Sequence, residues 1–285
     1  MTAPRAIVLG LVLQRVRQPV SIDPFYSAIL TAMEGTLAPS GGRVLTVIVN
    51  SLEEELALYQ RWVEHGGVDG VVVVDLVSGD PRPAVLGALR LPTVVLGEWD
   101  VPPGVDDIRV DNYGAMFVAV RYLVGLGHRV IGRVGGPADL QHTAARTRAF
   151  RDAIDEAGAT GLVVDADYSV AAGESATAAL LASLPDATAI IYDNDLMAVG
   201  GERAASAAGI AVPDELSLLA WDDSTPARLA DPPLSVLAHD SLSLGVAIAS
   251  TLVRRIAGER ADAPQLPVTR VLERGTTAPS PVPAR

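Results

Sequence analysis

Cysteine and lysine are both absent from the 285 residues. Without cysteine there is no disulfide framework, and a zinc centre loses its usual thiolate ligands. Without lysine the phosphate-cradling G-x-x-x-x-G-K-[ST] loop cannot form. Basic side chains, all of them arginine, number 22 against 34 acids, giving a formal charge of −12. A surface this acidic repels a phosphate backbone, and no local basic patch offsets it, so nucleic-acid contact through this surface is not expected. Long apolar runs are missing too. Stretches such as Val71–Val74 fall far short of the about 18 residues needed to cross a bilayer, so no membrane partner is expected. Met1–Arg5 followed by the apolar run Ala6–Leu13 lacks a small-residue cleavage site, so it does not read as a secretory leader and a cytoplasmic location is the expectation. Enzyme motifs are missing as well. No G-x-S-x-G turn is present, no G-x-G-x-x-G follows the first strand, and the histidines at 65, 128, 142 and 239 lack metal-ligand spacing. The expectation is therefore no catalytic residue, no cofactor and no metal.

What is present is alternation. Short apolar runs rich in β-formers, Ala6–Leu13, Arg43–Val49, Asp69–Asp75 and Thr93–Gly97, are separated by helical patterns at about Phe25–Leu37, Leu52–Glu64 and Val85–Ala88. Ser51 with Glu54 three residues on is a capping box for the second of these helices. The pattern restarts at Asp111-Asn112 with a helix striped by Met116, Val120, Leu123 and Val124. Strands follow at Val130–Val134, Leu162–Val164, Thr188–Tyr192, Leu216–Trp221 and Ser235–Ala238, with helices at Thr143–Ala157, Gly173–Ser183 and Asp195–Ala208 between them. A last helix, Ser241–Ile256, and a last strand, Val268–Leu272, remain. All-apolar strands alternating with helices imply an α/β fold of two Rossmann-like domains, each a parallel sheet covered on both faces. Length agrees, at about 150 residues per domain. The paired carboxylates Asp106-Asp107 and Asp222-Asp223 read as solvated turns. The proline-bearing tail, 278–285, is expected to be disordered.

Ligands of open α/β sheets bind outside the carboxyl ends of the strands. Those ends here carry Asp75, Glu98-Trp99, Gly135-Gly136, Asp193-Asn194-Asp195 and Trp221-Asp222-Asp223. Carboxylates and amides bond hydroxyls while aromatics cover C–H faces, a combination suited to a sugar-like molecule. The competing assignment for each Asp or Asn, Asp193 and Asp111 included, is a helix N-cap.

From about Ala6 to Ala278 the chain resembles the effector-binding region of the LacI/GalR family of transcription regulators. Asp111-Asn112-Tyr113-Gly114 through Leu126-Gly127-His128-Arg129-Val130-Ile131 is similar to the family's D-N-x-G helix and L-G-H-R-x-I step. Arg146–Phe150 resembles R-x-x-G-F, and Asn194–Ala198 resembles N-D-x-x-A. Gly209–Pro213 through Leu216–Asp223 resembles G-x-x-V-P-x-D-I-S-V-x-G-F-D. Pro232–Val236 and Leu266–Thr277 echo the P-P-L-T-T-V and L-P-x-x-L-V-x-R-x-S-T segments.

The resemblance implies a periplasmic-binding-protein-like pair of domains, 1–127 with 240–263 and 128–239 with 264–285, joined by crossovers near 127/128, 239/240 and 263/264. A small polar effector, sugar-like, would bind in the cleft and bias the angle between the domains. Arg146 takes the place of the arginine that reaches sugar hydroxyls, with a surface helix arginine as the alternative. Asn194 and Asp222 match polar contacts at strand ends. Tyr168 falls where an aromatic packs on the ligand, or alternatively in the core. His239 stands where a glutamine often sits, with a pH-sensitive hydrogen bond as one consequence. Phe25 and Tyr26 are either pocket wall or core. Tyr113 lies where several sugar-binding members carry an acid. Ala149 and Ala220 replace family glycines, which bears on ligand identity more than on fold. The resemblance further implies a homodimer, with the helices Phe25–Leu37 and Leu52–Glu64 as interface candidates. Operator DNA would be contacted only through a helix-turn-helix that is not in this sequence. The alternative function is a sugar-binding receptor for a transporter, which would call for a signal peptide or a lipid-anchored cysteine.

Overall fold

A strand buried on both faces must be apolar at every position, and Val8–Gln14 (β1) meets that condition, with all residues but Gln14 buried. It lies in a five-stranded parallel sheet of order β2-β1-β3-β4-β5, with β2 at Arg43–Val49, β3 at Gly70–Val73, β4 at Thr93–Leu96 and β5 at Val105–Ile108. The computed structural model describes residues 6–15, 23–259, 264 and 266–281. The leader question at Met1–Arg5, the crossover near 263/264 and the tail beyond Pro281 therefore lie outside the described residues.

Four helices cover this first sheet. Pro24–Leu37 (α1) starts where Asp23 accepts from the Phe25 amide, with proline at the first turn. Leu52–His65 (α2) is capped by Ser51 and closed by Gly66 at φ 72°, a left-handed position that glycine adopts without strain. Glu54 completes the cap by accepting from the Asn50 amide at 2.8 Å. Arg82–Leu89 (α3) follows, and Ser241–Ile256 (α9) returns to this sheet from later in the chain. One core joins Ile29, Met33 and Leu37 of α1 to Leu244, Ile248 and Leu252 of α9 against Leu9, Leu11 and Val72. A second joins Tyr59, Trp62 and Leu86 to Val12, Val71 and Val95 on the opposite face.

The second sheet has order β11-β10-β9-β8-β6-β7. Its strands are Val130–Gly135 (β6), Thr160–Asp165 (β7), Ala189–Tyr192 (β8), Ser217–Trp221 (β9), Ser235–Ala238 (β10) and Arg270–Leu272 (β11), of which only β11 runs antiparallel to its neighbour. Leaving β11 aside, both sheets repeat one winding, with the second strand of each on the outside of the first. The order therefore reverses at β1/β3 and again at β6/β8. Such reversals open a crevice at the strand carboxyl ends. Asn112–Gly125 (α4) and Gln141–Glu156 (α5) pack with Ile131, Ile191 and Leu219. Val170–Ser183 (α6) and Asp195–Ala207 (α7) pack with Val134, Ile190 and Leu218. Thr225–Leu229 (α8) is a single short turn after β9. Where α6 meets α7, a Cβ on Gly200 would lie 2.1 Å from the Val170 carbonyl oxygen, so only glycine permits this approach.

The chain divides into two compact units, Met1–Val110 with Asp240–Pro267, and Asp111–His239 with Val268–Arg285. One passage between the units falls at 239/240. The first falls at 110/111 and not at 127/128, because α4 buries Met116, Ala119, Val120 and Leu123 in the core it shares with α5.

Two further expectations are corrected. Asp106-Asp107 does not form a solvated turn but lies in β5, an edge strand where Asp106 accepts from Arg255 of α9 at 2.6 Å. The pair hides an edge strand whose outward positions tolerate charge. The described part of the 278–285 tail, 278–281, is held in place. The Ala278 carbonyl accepts from His128 Nε2 at 3.0 Å, its amide donates to Ser217 Oγ at 3.0 Å, and the Ser280 amide donates to the Leu126 carbonyl at 2.8 Å. Proline content predicts disorder only where no backbone partner is offered, and here the β6/β9 region offers several.

Candidate functional site

The carboxyl ends of β8, β9 and β10 converge on one guanidinium. Arg146 projects from the buried face of α5 and is 8% exposed. Its Nε donates to Asn112 Oδ1 at 2.8 Å and its Nη1 to the Asp193 carbonyl at 3.1 Å. Its Cζ lies 3.9 Å from the centre of the Trp221 ring, close enough for a cation–π contact. The Trp221 ring also stacks with His239, with centroids 5.3 Å apart and planes 21° from parallel. Arginine, tryptophan and histidine thus form one stacked group at the strand ends. Two polar atoms in it, Trp221 Nε1 and His239 Nε2, are buried with no hydrogen-bond partner among the described residues. Buried polar groups are nearly always bonded, so an orphaned indole donor and an orphaned imidazole nitrogen in one stacked group are unusual.

Beneath this group lies an ion pair absent from the sequence expectations. Arg133 sits inside β6, wholly buried, and donates to Asp193 from Nε at 2.9 Å and from Nη2 at 2.6 Å. Its Nη1 donates to Thr147 at 2.7 Å. Burial pushes the Asp193 carboxyl up, but the charges of Arg133 and Arg146, the Arg133 bonds and the Gly136 amide together hold it below the usual carboxylate range. Arg146 Nη1 is 3.8 Å from the same carboxylate, so Asp193 serves two guanidiniums. A sequence signal for the pair exists. An arginine within the otherwise apolar Val130–Gly135 demands a buried acid, and the neighbouring strand ends in one.

The remaining expected residues are distributed as follows. Asn194 caps α7: its Oδ1 accepts from the Met197 amide at 2.9 Å and its Nδ2 donates to the Tyr168 carbonyl at 3.0 Å. Asp111 likewise caps α4. Tyr168 adopts φ 70°, and its hydroxyl meets His142 Nε2 at 2.8 Å and Thr143 at 3.2 Å, against the Gly135-Gly136 turn. Asp222 directly follows β9 at φ 70°, next in sequence to Trp221. Tyr113 stands apart on the α4/α5 surface, where its hydroxyl donates to Asp152 at 2.7 Å. In the first unit, Tyr26 is buried and its hydroxyl donates to Asp75 at the end of β3 at 2.5 Å, with Phe25 edge-on to it at 5.3 Å.

A second buried cluster, also not foreseen, lies in the first unit. Arg82 Nη1 donates to Glu55 at 3.1 Å, its Nη2 to Asp80 at 2.6 Å and to the Asp75 carbonyl at 3.0 Å, while the Tyr59 hydroxyl donates to Glu55 at 2.5 Å. All four side chains are essentially inaccessible. Burial raises the Tyr59 hydroxyl well above its ordinary value, and Glu55 adds to that. At Asp80 burial again pushes upward, but the Arg82 bonds win and lower the carboxyl.

The imidazole of His239 is pushed down to about 3, by burial first and then by Arg146. His128, bonded to Thr188 and Ala278, is lowered too, mainly by burial. The unfolded chain takes up these protons near pH 6.5 and the folded chain does not. Stability present above pH 6.5 is therefore lost as pH falls below it, and the His239 share continues to fall to about pH 3. Urea unfolding between pH 7 and 5 is expected to show this slope, at up to about 1.4 kcal/mol per pH unit per histidine. His239→Gln should flatten it, and an unchanged slope would contradict the burial of that imidazole.

A periplasmic binding protein-like domain model matches residues 120–277. The HTH-type transcriptional regulator CelR of Thermobifida fusca is 31% identical over 278 residues, covering 94% of this chain and 79% of the regulator. The chain belongs to the LacI family of transcriptional regulators. A LacI family regulator from Bifidobacterium animalis subsp. lactis superposes with a TM-score of 0.87 at 31% identity, covering 97% of this chain and 99% of that one. A CelR–cellobiose complex superposes at 0.84 with 29% identity, covering 94% and 84% of the two chains. The chain spans the effector-binding region of a LacI-type regulator, and the stacked Arg146 group belongs to that region's second unit. No helix among the described residues is long and apolar enough to cross a membrane.

Proposed function

We propose that this region senses a neutral sugar or sugar derivative at the strand ends of the second unit, and that it does no catalysis. The Arg146–Trp221–His239 stack carries the reading. A flat indole suits the C–H face of a pyranose, the guanidinium fork suits vicinal hydroxyls, and the orphaned Trp221 Nε1 and His239 Nε2 supply a donor and a further polar contact. Charge supports the same class. Arg133 is paired with Asp193, which Arg146 also approaches at 3.8 Å, and His239 is neutral, so little uncompensated charge is left with which to favour an anion. Asp222 and Tyr168 border the contact, Asn194 acts through the Tyr168 backbone, and Phe25, Tyr26 and Asp75 form the polar strand end of the first unit. The CelR–cellobiose complex is consistent with a saccharide.

The regulator would act in the cytoplasm as a homodimer, contacting its operator through a helix-turn-helix head and not through this acidic surface. Edge strand β2, whose outer side is unpaired among the described residues and whose Leu45 and Ile48 are 38% and 37% exposed, supports self-association. Light scattering should give twice the chain mass at micromolar concentration, and a monomer would remove this part of the reading. For the effector, thermal melts with cellobiose, ribose and a range of other sugars and nucleosides provide the test. A ligand at about 100 times its Kd adds about 2.7 kcal/mol of stability. At least one saccharide should raise the melting temperature, and Arg146→Ala should abolish the response. A flat response across the saccharides, or a response unchanged in Arg146→Ala, overturns the assignment.

A further inference from the structure

The two faces of α5 differ. Thr143, Arg146, Ala149, Phe150, Ala153 and Ile154 are buried. Ala144, Arg148, Arg151 and Asp152 lie on the other side, three and four residues apart and so neighbours on the helix surface. With Val163 and Asp165 of β7, the edge strand of its sheet, they line a concavity of about 400 Å³. That size is within the range of small-molecule sites.

Its four charged residues are exposed. Among the described residues neither Arg148 nor Arg151 has an ion-pair partner, and the Asp165 carboxylate has no hydrogen-bond or ion-pair partner either. The acid four residues beyond Arg148, Asp152, accepts from the Tyr113 hydroxyl, while the Arg148 guanidinium lies 5.5 Å from the centre of the Tyr113 ring. In a chain with 34 acids against 22 bases, two arginines one helical turn apart and without an acid partner among the described residues stand out.

We infer that this concavity is a second binding site, for a small zwitterion of the α-amino-acid class. A carboxylate bridges the Arg148 and Arg151 forks, which match its two oxygens. The ammonium faces Asp165, and Ala144 and Val163 accommodate a short apolar side chain. A plain anion would meet Asp152 and Asp165 as well as the arginines, and a plain cation would meet the arginines. Only a molecule carrying both charges opposes each to its complement.

The test is an NMR titration of the ¹⁵N-labelled chain with L-alanine, alongside acetate, methylammonium chloride and sodium chloride. L-alanine should produce saturable shifts confined to amides of 144–152 and 163–165, tighter than either half-molecule. The Arg148→Gln/Arg151→Gln double variant should weaken them by about tenfold or more, as expected for losing charge-assisted bonds. Absence of saturable shifts, equal shifts with sodium chloride, equal affinity for acetate, or an unaffected double variant overturns the inference. No saccharide enters this titration, so its outcome is independent of the Arg146 site, and the double variant should keep any sugar response in thermal melts.

Discussion

Asp193→Ala is expected to destabilise the second unit by about 3–5 kcal/mol, because it leaves Arg133 charged, wholly buried and without its acid. At about 2–4 °C per kcal/mol for a unit of this size, the melting temperature should fall by about 10 °C in calorimetry. The cost arises from stranding a charge and not from losing an attraction. The double variant Arg133→Met/Asp193→Ala should therefore recover most of the loss, since an apolar side chain of similar length fills the same volume. The wild-type contribution is present above the ordinary carboxylate range and is lost as pH falls through the lowered Asp193 value. A fall of less than about 1 kcal/mol in Asp193→Ala, the worth of an exposed pair, would show that Arg133 reaches water by another route.

Arg82→Met should produce a loss of similar size, about 3–5 kcal/mol, in the first unit. Here the sign with pH reverses. Arg82 compensates Glu55 and Asp80, both inaccessible. Without it those carboxyls are held neutral by burial, so the folded variant binds more protons than its unfolded chain. The deficit should be largest near pH 8 and shrink as pH falls towards 5, measured as urea midpoints on wild type and variant in parallel. A pH-independent deficit would mean that lost packing, and not stranded carboxylates, is responsible. Arg82 also donates to the Asp75 carbonyl, so the variant should loosen the end of β3 where Tyr26 is bonded.

Particular residues show what can be read from the sequence and what cannot. Strands such as Arg43–Val49 and Ser235–Ala238, and the helix Ser241–Ile256, match the sequence reading residue for residue, because apolar periodicity and capping residues are local signals. β5 escapes that reading because an edge strand needs only one buried face, and Asp106 and Asp107 mask its alternation. α4 falls in the other unit from the expected one because an apolar stripe reveals that a helix packs, not against which sheet. At the site, motif and position point to Arg146, Asp222 and His239, and the structure groups Arg146 with His239 around Trp221. They do not point to Arg133, Arg82 or Glu55, whose pairing depends on residues 60 and 27 positions away. Asn194 carries a side chain that suits either a cap or a ligand, and its local geometry determines which bonds it makes.

The segment from Thr276 to Ser280 bears on how this region can be cut and joined. Thr276 Oγ1 donates to the Leu218 carbonyl, the Leu218 amide donates to the Thr276 carbonyl at 2.7 Å, and Ala278 bonds both His128 and Ser217. A recombinant chain stopped at Glu273 would leave those groups on β9 and at the start of β6 without partners, and it should express poorly or aggregate. A purification tag or fluorescent fusion belongs beyond Ser280, where it would leave these bonds in place.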